Sequence, residues 1–235
     1  MSTVPDHRDS LEPQHAFVAF FDVLGFEFRL QQNPLQEIVN SYRELAAKKM
    51  QSGTMPILSR NGVVYHQVGS TIFSDTILFW CNDDWKGVQG LLSSSAYLIA
   101  AAIDIGWPLR GGLAYGQCVL DRDTRTFIGQ PIVNAYHLEE SQEWIGAGLH
   151  ASVIEHPLLG TSITRHEDVI AYAVPTKRSS LPISYAIHWC PYSARARVAI
   201  REMKSRVTNR KARRYYKQTL KYVLAACHEY HAAER

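Results

Sequence analysis

The chain has 235 residues, 46% of them hydrophobic and 20% charged, with a formal net charge of +3. That composition supports one good core and excludes a disordered or fibrous chain. One large domain with an added C-terminal element fits the length better than two full domains, and the small net charge by itself says little about partners.

The cysteines Cys81, Cys118, Cys190 and Cys227 lie far apart with no C-x-x-C pair. They point to a reducing compartment and away from a zinc site. The polar start "MSTVPDHRDSLEPQ" does not have the make-up of a secretion signal. The apolar stretch "LLSSSAYLIAAAIDIGW" contains serines and Asp104, so it reads as a core helix and not a membrane span. A cytoplasmic protein is expected.

In chain order, residues 1–14 read as a loose tail and "HAFVAFFD" as a strand. "PLQEIVNSYRELAAKKM" (Pro34–Met50) has helical spacing with Pro34 suited to the first turn. "QSGTMPILSRNG" is loop-like. "VVYHQVGSTIFSDTILFWC" reads as two strands joined by a turn near Gly69–Ser74. "WKGVQGLLSSSAYLIAAAIDIG" is a long helix ending at Gly106, and "PLRGGLAYGQCVLD" a glycine-rich strand pair. A polar turn follows at Asp121–Thr126, then a helix in "QPIVNAYHLEESQ". "WIGAGLHASV" reads as a short strand running into another helix, and "DVIAYAVP" and "ISYAIHW" as late strands. From Tyr192 onward the pattern is helical and basic. The order gives an α+β sheet-and-helix layer of the ferredoxin-like βαββαβ type, with a catalytic domain at 15–190 and a basic helical extension at 191–235.

Asp22 stops the first apolar strand and Asp75 sits in the turn region of "STIFSDTILF". In this topology the first strand lies beside the following strand pair, so the two acids can meet at one sheet end. Converging carboxylates there suit hard divalent cations. The plainer alternative is a helix cap at Asp22 and a turn residue at Asp75. In "LRGGLAYG", Arg110 matches phosphate oxygens well, and glycine within a strand marks close approach of a ligand or of another backbone. A packing-driven glycine pair beside a surface arginine is the competing reading.

"FFDVLGF", "SDTILF", "RGGLAYG" and "GQPIVNAYHLEES" occur in the order of the class III nucleotide cyclases. The resemblance covers roughly 17–153, and the chain most resembles the bacterial pyrimidine cyclases of the Pycsar anti-phage system. It implies the cyclase catalytic fold. It implies that Asp22 and Asp75, with the Val23 carbonyl, hold two Mg²⁺ or Mn²⁺ ions. By the same match the amides around Leu24, Gly25, Phe26 and Glu27 cradle the terminal phosphates, and Arg110 binds phosphate. The family places metal and base residues on opposite chains of a shared cleft, so the resemblance implies a head-to-tail homodimer with two equivalent sites.

Two positions depart from the purine cyclases. Their adenine-reading lysine and aspartate correspond to Thr71 and Thr126, whose hydroxyls both donate and accept and suit a pyrimidine edge. The helix residues that contact ribose and transition state correspond to Val133 and His137. Asn134 supplies the amide if the register slips by one, and His137 a weaker cation. The resemblance therefore implies UTP as substrate and cyclic UMP as product, with CTP as the close alternative, in a second-messenger role. An inactive cyclase-like binding module is the competing reading. A nucleic-acid role for the basic, tyrosine-bearing C-terminus is considered and set aside in favour of a solvated helical face. In that reading Val198, Val207, Leu220, Val223 and Leu224 pack on the catalytic core or on the dimer partner, and neither nucleic acid nor membrane is expected as a partner.

Overall fold

The run Phe17–Phe21 is apolar at every position because its strand is covered on both sides. Phe17, Ala19, Phe21 and Val23 point into the main core, while Ala16, Val18 and Phe20 point into a smaller one on the opposite face. The computed structural model describes residues 12–52, 56–59, 62–65, 68–177, 180 and 182–233, so most of the expected tail lies outside the described residues.

Its elements are β1 (Gln14–Val23), α1 (Phe26–Gln32), α2 (Leu35–Ser52), β2 (Pro56–Ser59) and β3 (Gly62–Tyr65). Then come β4 (Gly69–Phe73), β5 (Thr76–Asn82), α3 (Trp85–Asp104), β6 (Leu109–Asp121), β7 (Thr126–Gly129) and α4 (Gln130–Ser141). The last third holds β8 (Gly146–Leu149), α5 (Ala151–Ile154), α6 (Gly160–Thr164), β9 (Val169–Ala171), β10 (Tyr185–Ile187), a 3₁₀ turn at Cys190–Tyr192, α7 (Ala196–Arg206) and α8 (Arg210–Ala233).

The main sheet runs β4-β5-β1-β6-β8-β10-β9, with β7 paired to β6. Its first four strands lie in the ferredoxin-like order, with β1 antiparallel to both β5 and β6. β6 and β8 pair in parallel and extend the sheet beyond that core.

Four expectations are corrected. The loop-like stretch after α2 contains β2, which pairs with β3 at the start of the next stretch, so that stretch holds three strands and not two; β2 and β3 carry only two adjacent aliphatic residues each, too few to show a period. The strand-pair turn is at Ser74–Asp75, since β4 stays paired through Phe73↔Thr76. The glycine-rich "strand pair" is one long strand, β6. α1 was not foreseen, because it buries no residue and so has no apolar periodicity to read.

α3 starts where Asp84 accepts from the Gly87 amide at 2.7 Å and ends before Gly106 at φ 79°. Its buried serines are satisfied locally, Ser94 by the Ser52 carbonyl and Ser95 by that of Leu91, both at 2.6 Å. On the opposite sheet face α4 lies close because Gly112 has no side chain. A Cβ there would sit 2.6 Å from the Ala135 carbonyl oxygen. At Gly111 a Cβ would meet the Phe21 ring at 2.4 Å. The glycine pair is therefore the close approach of protein to protein.

α7 and α8 belong to the same core: Ala196, Ile200, Met203, Tyr216, Tyr222 and Val223 are all buried in it. Of the residues expected to pack on the core or on a dimer partner, Val198 and Leu224 are exposed in the single chain. Among the described residues no helix is long and apolar enough to cross a membrane. Cys81, Cys118 and Cys190 are buried.

Candidate active site

β1 ends in Asp22–Val23, and the register sets Asp22 between Thr76 of β5 and Arg110 of β6. The β4–β5 turn folds onto that end: the Val23 amide donates to the Asp75 carbonyl at 3.0 Å. Ser74 at φ 52° makes the turn tight enough to do so, and the Tyr42 hydroxyl donates to the Ser74 carbonyl and pins it. Three distant stretches thus bring Asp22, Asp75 and Arg110 to one end of the sheet.

Electrostatics confirm the proximity. Burial and the neighbouring Asp75 raise Asp22 to about 6, against the pull of Arg110. Burial, with Asp75 adding, lifts the Tyr42 phenol to about 12. Two acids that repel each other in a partly dry site, with no described side chain donating a hydrogen bond to either, match a hard cation. Among the described residues there is no group of three or more His, Cys, Asp or Glu side chains of that kind. The acidic oxygens gathered at this sheet end are those of the Asp22 and Asp75 carboxylates.

Beyond β1 the chain turns at Gly25, φ 78°, straight into α1. The Leu24 amide is already spent on the Pro108 carbonyl at 2.9 Å, so the cradle reduces to the first-turn amides of α1, which have no acceptor inside the helix. The Phe26 ring faces Tyr42 and Trp107 in the core, so Phe26 offers the site only its backbone. Arg29 clamps α1 by donating to the Gly106 carbonyl, with its guanidinium 4.4 Å from the Trp107 ring centre.

Arg110 is not the surface residue of the competing reading. It is 9% exposed; its Nε donates to Glu139 at 2.5 Å and its Nη1 to the Gln142 carbonyl at 3.1 Å. The Tyr215 ring of α8 lies 5.7 Å from its Cζ. Glu139 is raised to about 7 by burial, against the pull of Arg110 and with Asp22 and Glu140 adding. Sequence reasoning missed Glu139. Its signal was a carboxylate on the buried α4 stripe Pro131–Ala135–Glu139, where a charge needs a partner.

The other expected helix positions lie further along α4, N-terminal to Glu139. Val133 and His137 lie one turn apart on the exposed face of α4. Asn134 is half-buried and accepts from the Gln130 amide at 2.9 Å. Thr71 pairs with Leu78 on the face that carries Phe20 and Asp22. Thr126 opens β7 opposite Asp121, its hydroxyl 2.9 Å from that of Thr124. The two threonine-bearing hairpins meet where Phe127 packs on Trp80 at 5.1 Å, beside a cleft of about 380 Å³ lined in part by Gly69, Trp80 and Arg122.

Comparison with known proteins agrees with this geometry. The chain is similar to a bacterial light-regulated adenylyl cyclase at 12% identity and TM-score 0.51, over 82% of this chain and 99% of that one. It is similar to a non-canonical dimeric guanylyl cyclase domain of the RhoGC fusion protein from the aquatic fungus Blastocladiella emersonii, at 12% identity and TM-score 0.51 over 75% and 97%. The guanylyl cyclase Cya2 matches at 11% identity and TM-score 0.50 over 76% and 93%. The fold is that of the class III nucleotidyl cyclase catalytic domain. No protein-family model and no curated protein matches the chain.

Proposed function

We propose that the protein is a nucleotide cyclase that converts UTP to 3′,5′-cyclic UMP and pyrophosphate, with CTP as the nearest alternative substrate. The observation that carries the reading is the meeting of Asp22 and Asp75, 53 positions apart in the chain, at the end of β1 in a cyclase fold. Asp22, Asp75 and the Val23 carbonyl would hold two divalent cations, Mn²⁺ or Mg²⁺. When bound, such ions lower the pKa of the attacking hydroxyl and neutralise the triphosphate. The first-turn amides of α1 bind the terminal phosphates and orient the leaving pyrophosphate. The buried Arg110 contributes positive potential beside the carboxylates while held by Glu139.

The active unit in this reading is a head-to-tail homodimer, with one chain supplying the metal end and the other Thr71, Thr126, Asn134 and His137. Support comes from the exposure of Val133 and His137 on α4, where a second chain can meet them. Thr71 and Thr126 lie on the two hairpins that Trp80 and Phe127 bring together, although the register sets Thr71 on the face of Trp80 and Thr126 on the other face of β7. A pyrimidine cyclic nucleotide made this way fits a second messenger of the Pycsar anti-phage type, acting on a separate effector in the cytoplasm.

The decisive experiment incubates the purified protein with each of the four nucleoside triphosphates and Mn²⁺ and identifies products by mass spectrometry. Cyclic UMP is expected as the main product. Equal turnover of ATP or GTP would remove the threonine assignment, and no turnover of any substrate would remove the enzyme reading. Thr71→Lys with Thr126→Asp should lower UTP and CTP turnover by up to ~10⁴-fold while Mn²⁺ binding persists. Mixing Asp75→Ala and His137→Ala chains should restore activity through one intact site per heterodimer.

A further inference from the structure

We propose that the corner formed by the end of α7 and the start of α8 is a docking surface for the phosphate backbone of duplex nucleic acid. The whole chain has 25 Lys and Arg against 22 Asp and Glu. Between residues 195 and 221, eleven of those cations face a single acid, Glu202, so this stretch carries ten excess positive charges and the rest of the chain is net negative by seven. The modest overall charge hides a strongly polar distribution.

The structure displays these charges outward. Arg201, Arg206, Arg210, Lys211, Arg213 and Lys217 are all exposed. Ion pairing offsets little of this: Arg195 reaches Glu202 at 3.4 Å and Arg214 reaches Glu143 at 2.6 Å. The placement also runs against helix stability. α8 opens with Arg210, Lys211, Arg213 and Arg214 and has no acid in its first turn, although unpaired amides and the helix dipole already make that end positive. Asn209 caps it by accepting from the Lys211 amide at 2.8 Å, so the start of the helix is fixed. Lys204 and Arg206 end α7 only a few residues away. A polyanion laid across the corner relieves this repulsion and releases its own counterions.

The same structure narrows the polyanion. Tyr215, Tyr216 and Tyr222, which would stack on unpaired bases, are buried at 8%, 7% and 0% exposure, so a single strand finds no stacking platform. The buried apolar residues of both helices are spent on the core, and the exposed Val198 and Leu224 are too little apolar surface to enter a bilayer. Rigid, regularly spaced phosphates fit best, read without sequence preference. The corner adjoins the catalytic end of the sheet, with Tyr215 of α8 over Arg110 and Arg206 near Arg29 of α1, so a docked duplex would lie beside the candidate site.

The test measures binding of the full chain to a mixed-sequence 20-base-pair duplex across a salt series, by fluorescence anisotropy. The wild type is expected to bind, with log affinity falling steeply with log salt. The triple variant Arg210→Ala, Lys211→Ala and Arg213→Ala should weaken binding at least ~10-fold near 0.1 M salt and flatten the slope by about 2 to 3. Its melting temperature should be equal or higher, which separates lost docking from lost folding. Absence of duplex binding, binding unchanged in the triple variant, preference for single strands, or binding only to vesicles rich in anionic lipid would each overturn the proposal.

Discussion

Two charged pairs lie one strand apart in this molecule and behave in opposite ways. Asp22 and Asp75 are like-charged, partly open, and receive no hydrogen bond from a described side chain. Arg110 and Glu139 are oppositely charged, buried, and closed by the Gln142 carbonyl and the Tyr215 ring. The first pair is incomplete within the chain and calls for an external cation; the second is complete within it. The contrast separates a group kept for chemistry from a group kept for order: a repelling pair lowers stability until something binds, whereas a closed pair costs most when it is broken.

The largest effect should come from opening the first pair. Asp75→Ala is expected to cut cyclisation by ~10³-fold or more, since losing a metal ligand removes several kcal/mol of transition-state stabilisation. The fold should persist, because Asp75 sits in a surface turn; circular dichroism and product assays read the two outcomes separately. An Asp75→Ala protein with normal turnover at saturating Mn²⁺ would erase the distinction between the pairs.

Breaking the second pair should act on stability first. Glu139→Ala leaves Arg110 charged and unpaired in the core, at a cost of about 3–5 kcal/mol. Thermal denaturation should show a drop of roughly 10 °C for a domain of this size. A variant that melts like the wild type but loses activity would mean that Glu139 serves the chemistry instead.

Gly112→Ala tests the frame that carries both pairs. The new methyl meets the Ala135 carbonyl, which is backbone and yields little, so α4 must shift at a cost of about 1–3 kcal/mol. Because α4 carries Glu139, the Arg110 pair should loosen as well.

The smallest effect is a pH dependence in metal-free protein. Asp22 is raised from 3.8 to about 6, so the folded state binds its proton more tightly than the unfolded state does. The resulting stability is fully present below the unfolded value and is lost as pH rises through about 6. The shift corresponds to about 3 kcal/mol if undiluted, and to about 1–2 kcal/mol once solvent screening of this partly open group is counted. With chelator present the protein should melt lower at pH 8 than at pH 5. Saturating Mn²⁺ should reduce that difference, and Asp22→Asn should lose the Mn²⁺ response while keeping the part of the pH trend that Glu139, raised to about 7, contributes.

The sequence by itself determined the strand that stops at Asp22, the long α3, the α4 segment and the order of the four motif blocks. These rest on apolar spacing and turn chemistry, which act over a few residues and are legible in one dimension. That order was enough to imply the sheet topology and the convergence of Asp22 with Asp75. Only the tertiary structure decided that Arg110 is buried against Glu139, that the Leu24 amide is taken by Pro108, that Gly112 admits a helix backbone, and that Tyr215 and Tyr216 face the core. Each joins elements far apart in the chain, and neither partner carries a local pattern that names the other. Burial is set by what packs on top, and here the covering elements are α4 and α8, which come late in the chain.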